Sequence, residues 1–273
     1  MGNVDVKNNI RDDNDYGASI NRIWVPAPRF AMRRRRILDL LNGYPVGKLI
    51  EIGPGAGALL RDLTQKGFMC TGYDTSPSAL KIAKLMVGEF PNAEISHSPS
   101  SSWASSFDYL LSCEVLEHIE EDEKALNDWL TYLKSGGFAI IAVPSHKAKF
   151  GPLDEWAGHY RRYDKLEFVT LLRNSGLEII HFESYGYPLA NITSFFRNII
   201  IDRSGHMTMA KDKKTDTARS GVERDVESKL YRFQTNFLGR AIMRVAFKIQ
   251  YLFRNTELGD GFIVIAKKNE ERQ

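Results

Sequence analysis

Lys48-Leu49-Ile50-Glu51-Ile52-Gly53-Pro54-Gly55-Ala56-Gly57-Ala58-Leu59-Leu60 is the stretch on which the fold turns: an apolar run ending in an acid, then three glycines at alternate positions. Residues 49 to 52 are too few for a helix and, Glu51 apart, apolar enough for a strand buried on both faces of a parallel sheet. The glycines let the backbone turn sharply and leave no Cβ between it and a ligand. Ala58, Leu59 and Leu60 begin a helix whose free N–H groups and positive dipole end point into that gap. Strand, turn and helix start together predict a cofactor cradle.

A glycine-rich turn alone does not choose among nicotinamide, flavin and adenosyl cofactors. Glu51, two residues before the first glycine, discriminates better. A pyrophosphate gains nothing from a carboxylate there, whereas the ammonium of a methionine moiety is attracted to it. A second apolar run, Phe68 to Tyr73, delivers Asp74 about twenty residues past Gly53, where an acid can accept both ribose hydroxyls. Glu51-x-Gly53-x-Gly55-x-Gly57 followed by Gly72-Tyr73-Asp74-x-Ser76 resembles the first two motifs of class I S-adenosylmethionine (SAM) dependent methyltransferases. The resemblance continues through Gly136-Gly137-Phe138 and covers roughly residues 45 to 185 plus the last strand.

That resemblance implies an α/β, Rossmann-like sheet of seven strands, mostly parallel with an antiparallel last strand, helices on both faces, and SAM as cofactor. The implied cofactor contacts are Glu51, Gly53, Gly55, Gly57, Asp74, Thr75, Ser101 and Cys113. At one point the chain departs from the family. An acid commonly follows the third strand to meet the adenine amine, and here Ser98-Pro99-Ser100-Ser101-Ser102 follows, so a serine hydroxyl is the expected substitute.

Working outward, residues 1 to 20 lack an apolar period and are expected to form a loose tail in which only Tyr16 packs on the domain. Apolar residues then recur at helical spacing from Pro28 to Leu41, with Arg33 to Arg36 inside that helix. Those arginines read either as a solvated face with one or two folded over the sheet, or as a basic lip for an anionic substrate. Ser76-Pro77 predicts a helix start. Residues 21–185 and 258–268 are assigned to the SAM-binding domain.

Between the sixth strand, Leu177 to Glu183, and the seventh, Phe262 to Ala266, a hairpin needs only a few residues. Residues 186–257 therefore read as an inserted helical lid. It comprises an apolar helix from Ile192 to Ile201, a charged segment from Arg203 to Ser228 expected to be mobile, and a final helix. There Phe237, Leu238, Ile242, Phe247, Ile249, Leu252 and Phe253 are apolar, with Arg240, Arg244 and Lys248 expected on the opposite side. Such a helix either packs on the domain or, over residues 232–254, touches a membrane or a lipid-like substrate.

Phe107 to Ser112 is the fourth strand, and ligands bind at the carboxyl ends of an open parallel sheet, so residues 113 to 118 should border the substrate. Glu114, Glu117 and His118 share one helix face if the strand passes directly into a helix. Two carboxylates and an imidazole suit a hard ion such as Mg²⁺ or Mn²⁺. Glu-x-x-Glu-His is similar to the metal motif of ubiquinone-biosynthesis O-methyltransferases and of plant small-RNA 2′-O-methyltransferases. The resemblance implies a further histidine downstream, with His159 the leading candidate and His146 the second. The other readings of Glu117, His118 and His159 are a metal-free general base and a purely positioning role. The loop from Asp154 to Tyr163 suits substrate recognition, Tyr160, Arg161 and Arg162 gripping a carboxylate or phosphate. Its bland alternative pairs an arginine with Asp164 or Glu167.

The totals set bounds: 273 residues, 43% hydrophobic and 26% charged, describe a globular chain, and a net charge of +3 weighs against nucleic acid as partner. Cys70 and Cys113 fall at positions expected to be buried and apart. They argue against a disulfide frame, and with no visible signal peptide a cytoplasmic protein is expected, with membrane association as the alternative. The overall expectation is O-methylation of a small-molecule or lipid-like acceptor. C-, N- or RNA methylation stand as alternatives in the same class, and a nicotinamide-dependent oxidoreductase or a non-catalytic membrane or partner-binding protein stand outside it. Oligomeric state is left open.

Overall fold

In the computed structural model of the protein, residues 10–21, 23–204 and 225–270 are described. A two-stranded hairpin, β1 (Ile10–Arg11) and β2 (Ser19–Ile20), precedes helix α1 (Pro28–Leu41). The alternation follows: β3 (Lys48–Ile52), α2 (Ala58–Gln65), β4 (Met69–Tyr73), α3 (Pro77–Val87), β5 (Ala93–Ser96), β6 (Phe107–Cys113), α4 (Asp122–Leu130), β7 (Leu133–Pro144), α5 (Pro152–Ala157), α6 (Lys165–Asn174) and β8 (Leu177–Tyr185). Helices α7 (Leu189–Ser204), α8 (Asp225–Gln234) and α9 (Phe237–Phe253) then lead to β9 (Gly261–Lys268).

The large sheet has seven strands in the order β5-β4-β3-β6-β7-β9-β8, and β9 runs antiparallel to both its neighbours. The order reverses between β3 and β6, which pair in parallel, so the carboxyl ends of these two strands flank the crevice of the sheet. Alternate residues feed two cores. Leu49, Leu111, Ile140 and Ile263 face α1 and α2 on one side. Ile50, Ile52, Leu110, Ile141 and Val264 pack with Leu126 of α4 and Phe168 of α6 on the other. Both faces are covered, as near-continuous apolar strands require.

Residues 10–20, expected to be loose, are instead ordered and in large part buried; residues 1–9 lie outside the described residues. Tyr16, Ala18 and Ile20 are all at or below 2% exposure. Polar composition misled here because the acids have partners: Asp12 pairs with Arg61, Asp13 with Arg240 and Asp15 with Arg244. Tyr16 joins Ala31 and Met32 of α1, Ala190 of α7 and Met243 and Ala246 of α9 in a third, small core that fastens the insertion to the domain. Gln250 adds a polar clip, accepting from Gly186 N–H at 2.7 Å and donating to Met32 carbonyl at 3.1 Å.

The helices of the insertion bracket the segment expected to be mobile, of which residues 205–224 lie outside the described residues. Helix α9 departs from its expected orientation. Its buried positions are Met243, Ala246 and Gln250, while Phe237, Leu238, Ile242 and Leu252 are exposed. Arg240 and Arg244 pair with Asp13 and Asp15 of the N-terminal turn, while their side chains stay 41% and 63% exposed.

Candidate active site

The glycine turn has the expected form. Gly53, Gly55 and Gly57 all adopt positive φ, between 54° and 75°. A Cβ on Gly53 would lie 2.4 Å from Val115 Cγ2, so the turn requires glycine for space as well as for conformation. Gly72 of β4 is limited by space alone, since a Cβ there would meet Ile95 Cδ1 at 2.8 Å and Leu60 Cδ2 at 3.0 Å. At the end of β4 the Asp74 carboxylate accepts Gly55 N–H at 3.2 Å and Ser76 N–H at 2.8 Å. This ties the ends of the two strands together. Thr75 is exposed next to it.

Glu51 is 3% exposed, and its Oε2 has no hydrogen-bond partner. Burial pushes its carboxyl up to about 8, Arg33 drawing it down and Asp62 and Asp74 adding to the rise. A buried acid left in this state invites a cationic group. Cys113 is buried at the end of β6, where burial raises its thiol far above the ordinary value. Ser101 is exposed in a short turn whose Trp103 packs edge-on to Tyr73 at 5.8 Å.

The four consecutive arginines of α1 separate into four different environments, which neither the solvated-face nor the basic-lip reading anticipated. Arg34 pairs with buried Asp62, Arg36 with buried Glu183 and with Asp39, and Arg35 stays outside, where it shares Asp39. Arg33 turns into the cradle, acting on Glu51, Cys113 and Glu114, and its Nε is buried without an acceptor. Arg33 is thus a site residue that spacing concealed, since nothing in an unbroken arginine run marks which member points inward.

β6 does not pass into a helix. Glu114 takes positive φ, 59°, and only a three-residue turn, Leu116–His118, follows. The helical relation expected to align Glu114 with Glu117 is therefore broken. Glu114 swings toward α1, contacting Arg29 and lying 3.8 Å from Arg33, and it accepts Tyr185 O–H at 2.5 Å. Its assignment as a metal ligand is corrected on that geometry.

Glu117, His118 and His159 do converge. One ligand atom from each lies within 4.8 Å of the others, the one such grouping of His, Cys, Asp and Glu among the described residues. Glu117 has no exposed surface, neither carboxylate oxygen has a hydrogen-bond partner, and burial together with Glu114 raises its carboxyl well above the ordinary range. The His118 and His159 rings meet edge to face at 4.6 Å. Burial, then the His159 ring, lowers His118 to about 3, so its imidazole is neutral at physiological pH. His146 is elsewhere, its Nε2 at 2.5 Å from the Glu257 carbonyl.

His159 is oriented from behind. Its Nδ1 lies 2.8 Å from Asp154 Oδ1, and its Nε2 lies 3.9 Å from Glu117. Burial opposes charge on Asp154, but the His159 hydrogen bond and Arg162 outweigh it and hold the acid near 2. An ionised acid there selects the Nδ1–H tautomer and presents the Nε2 lone pair to Glu117. Asp154 was legible as part of a polar loop, but not as the partner of a histidine five residues on.

Arg162 is corrected from substrate contact to structural anchor. It is 3% exposed, its Nε donates to both Asp154 oxygens at 2.9 Å and its guanidinium reaches Asp260 at 3.2 Å. Arg161 is engaged by Asp122 at 2.7 Å and donates to the Glu120 carbonyl. The expected alternatives, Asp164 and Glu167, are taken by Lys147. Tyr160 is half-buried and donates its N–H to the Glu117 carbonyl at 2.8 Å, which keeps it beside the cluster.

A glycine cradle with a ribose-type acid at the switch point of a seven-stranded sheet, and a polar cluster one strand away, define a SAM-dependent methyltransferase. The chain belongs to the family whose model, described as a methyltransferase domain, matches residues 27–182. A ubiquinone biosynthesis O-methyltransferase from Azoarcus sp. (strain BH72) is 24% identical over 212 residues, covering 68% of this chain and 91% of that protein. Among solved structures, a [4+2]-cyclase, SpnF, superposes with a TM-score of 0.57 at 17% identity, over 95% of this chain and 88% of that one. A phosphoethanolamine N-methyltransferase 2 from Haemonchus contortus, in complex with SAM, gives a TM-score of 0.52 at 15% identity, over 88% of this chain and 52% of that one. The structural likenesses establish the fold and not the reaction, as the cyclase makes plain.

Proposed function

We propose that the chain transfers the methyl group of SAM to a hydroxyl oxygen of a small-molecule or lipid-like acceptor, with Glu117, His118 and His159 holding a divalent ion beside the cofactor. The observation that carries the reading is the orphaned, fully buried Glu117 carboxyl facing two imidazoles at the carboxyl end of β6. A carboxyl in that position is held protonated by burial until a cation arrives, and His118 is already neutral. One oxygen and two nitrogen donors favour Mn²⁺ over Mg²⁺.

The cofactor fits the cradle's own features. Gly53, Gly55 and Gly57 leave room for the methionine end, Glu51 meets its ammonium, and Arg33, with an unused buried Nε, meets its carboxylate. Asp74, whose oxygens already accept Gly55 and Ser76 N–H, would accept the ribose hydroxyls on its remaining lone pairs, with Thr75, Ser101 and Cys113 around the adenosine and sulfonium. When bound, SAM supplies an electrophilic methyl carbon, and the ion supplies positive charge that acidifies an acceptor hydroxyl. The chain's own residues orient the acceptor oxygen, exclude water and fix His159 through Asp154.

A second reading rests on the Asp154–His159 contact. Without an ion, His159 Nε2 is the general base for the hydroxyl, and His118, held near 3, is too weak to serve. Labelled SAM incubated with fractionated cell lipids and metabolites should place label in an ether. In the metal reading EDTA abolishes that transfer and Mn²⁺ restores it. Activity that survives both EDTA and Glu117→Ala excludes the ion.

A further inference from the structure

We infer that α8 and α9 form a docking face for an anionic lipid bilayer. The inference deepens the reading of the acceptor as lipid-like and rests on that reading for its purpose alone.

Three arcs run along α9. One is buried against α1 and the N-terminal turn through Met243 and Ala246. At 100° per residue, Arg240, Arg244 and Lys248 form a basic edge beside it. The third arc, over Leu238, Ile242, Val245 and Leu252, is apolar and exposed. Phe237 is 91% exposed, Leu252 73% and Leu238 66%, and Phe233 of α8 adds another exposed ring at 70%. Large apolar side chains consecutive along one helix face are not how a surface that meets only water is built.

Charge names the occupant. Across α8 and α9, residues 225 to 254 carry Lys229, Arg232, Arg240, Arg244, Lys248 and Arg254 against Asp225 and Glu227, both in the first turn of α8. Asp13 and Asp15 offset two of these, which leaves the segment positive. Lys248 also shares a groove with Phe247, Tyr251 and Leu252; Arg35 and Arg36 line it too but are offset there by Asp39, so Lys248 is the cation that stands with the rings beside the apolar arc. A helix with an apolar arc bordered by a basic edge lies in the plane of a membrane, rings among the acyl chains and cations at the phosphates. Among the described residues no helix is long and apolar enough to cross a membrane, so this contact is peripheral.

The test uses the full chain and vesicles of phosphatidylcholine, either alone or with about a third phosphatidylglycerol. The protein is expected to sediment with the anionic vesicles, to be released by salt, and to bind the neutral ones far more weakly. The double variant Phe237→Ser/Leu238→Ser should lose roughly tenfold or more of that binding. Lys248→Glu should lose about fivefold or more, on anionic vesicles alone. Both variants change exposed positions, so SAM affinity and thermal midpoint are expected to stay at wild-type values. Failure of the wild type to sediment with either vesicle, or equal binding by the double variant, overturns the inference. So does a lipid-free dimer that the double variant dissociates, because a second copy would then be the occupant. Sedimentation is read without turnover, so it can fail while methyl transfer stands, and the reverse.

Discussion

Replacing Glu51 by glutamine separates two opposed consequences of one buried acid. Burial raises this carboxyl from 4.5 to about 8, against the pull of Arg33 and with the push of Asp62 and Asp74. At pH 7 the cofactor-free fold therefore keeps a proton that the unfolded chain has released. At about 1.4 kcal/mol per pH unit between 4.5 and 7, the mismatch costs the fold roughly 3 kcal/mol. The sign follows from the raised folded value: there is no penalty below 4.5, and stability declines as pH climbs from there to about 8. Glu51→Gln keeps the shape without the titration. It is expected to raise the thermal midpoint of the cofactor-free protein by several degrees at pH 7 and to lose that advantage toward pH 4.5.

In the proposed binding mode bound SAM reverses the preference, because an ammonium placed beside Glu51 favours the ionised form. Near pH 7 the wild type should then release about one proton on binding SAM, and Glu51→Gln should release none while binding roughly tenfold more weakly. Calorimetric titration of SAM in two buffers of different ionisation enthalpy reads that proton directly. Buffer-independent heats for the wild type at pH 7, or a Glu51→Gln advantage that persists undiminished at low pH, would refute the argument.

Asp74→Ala and Arg33→Ala should each weaken SAM binding roughly tenfold or more, read by calorimetry, since the proposed mode gives each charge-assisted contacts to the cofactor. Asp154→Asn should lower Mn²⁺ affinity by about ten- to a hundredfold, followed by the free-ion spectroscopic signal, because His159 loses the acid that orients it. Glu183→Gln should cost about 1–3 kcal/mol in denaturant titration at pH 7, because Arg36 loses its buried acid, whose two contacts are 2.8 and 3.0 Å, and keeps the part-exposed Asp39 at 3.0 Å. Burial opposes ionisation of Glu183, but His181 and Arg36 outweigh it and hold its pKa below 4.5. The pair's contribution is therefore present above that pH, and the difference between wild type and variant should shrink in acid.

Local chemistry was the legible part. The cradle from Leu49 to Leu60, Asp74 after the second strand, and the Ser76-Pro77 start of α3, where Ser76 accepts from Ala79 N–H, are all set by residues within a few positions of one another. Strand hydrophobicity made the doubly covered sheet readable, because apolar residues in both alternations need cover on both faces. The Glu-x-x-Glu-His spacing was half informative. Glu117 and His118 belong together in any conformation, whereas Glu114 depended on a helix that its own positive φ prevents.

By itself, then, the sequence determined the sheet, the cofactor turn and the residue types at the crevice, since these follow from hydrophobic period, glycine conformation and short-range capping. Only the tertiary structure decided which charges face the site. Arg33 enters the cradle while its neighbours seal other acids, Arg162 disappears beneath Asp154 and Asp260, and the N-terminal acids order themselves on α9. A long charged side chain spans several ångströms and settles wherever an opposite charge can share its burial. That partner lies up to 231 residues away, as between Arg29 and Asp260. No local pattern encodes such a distance.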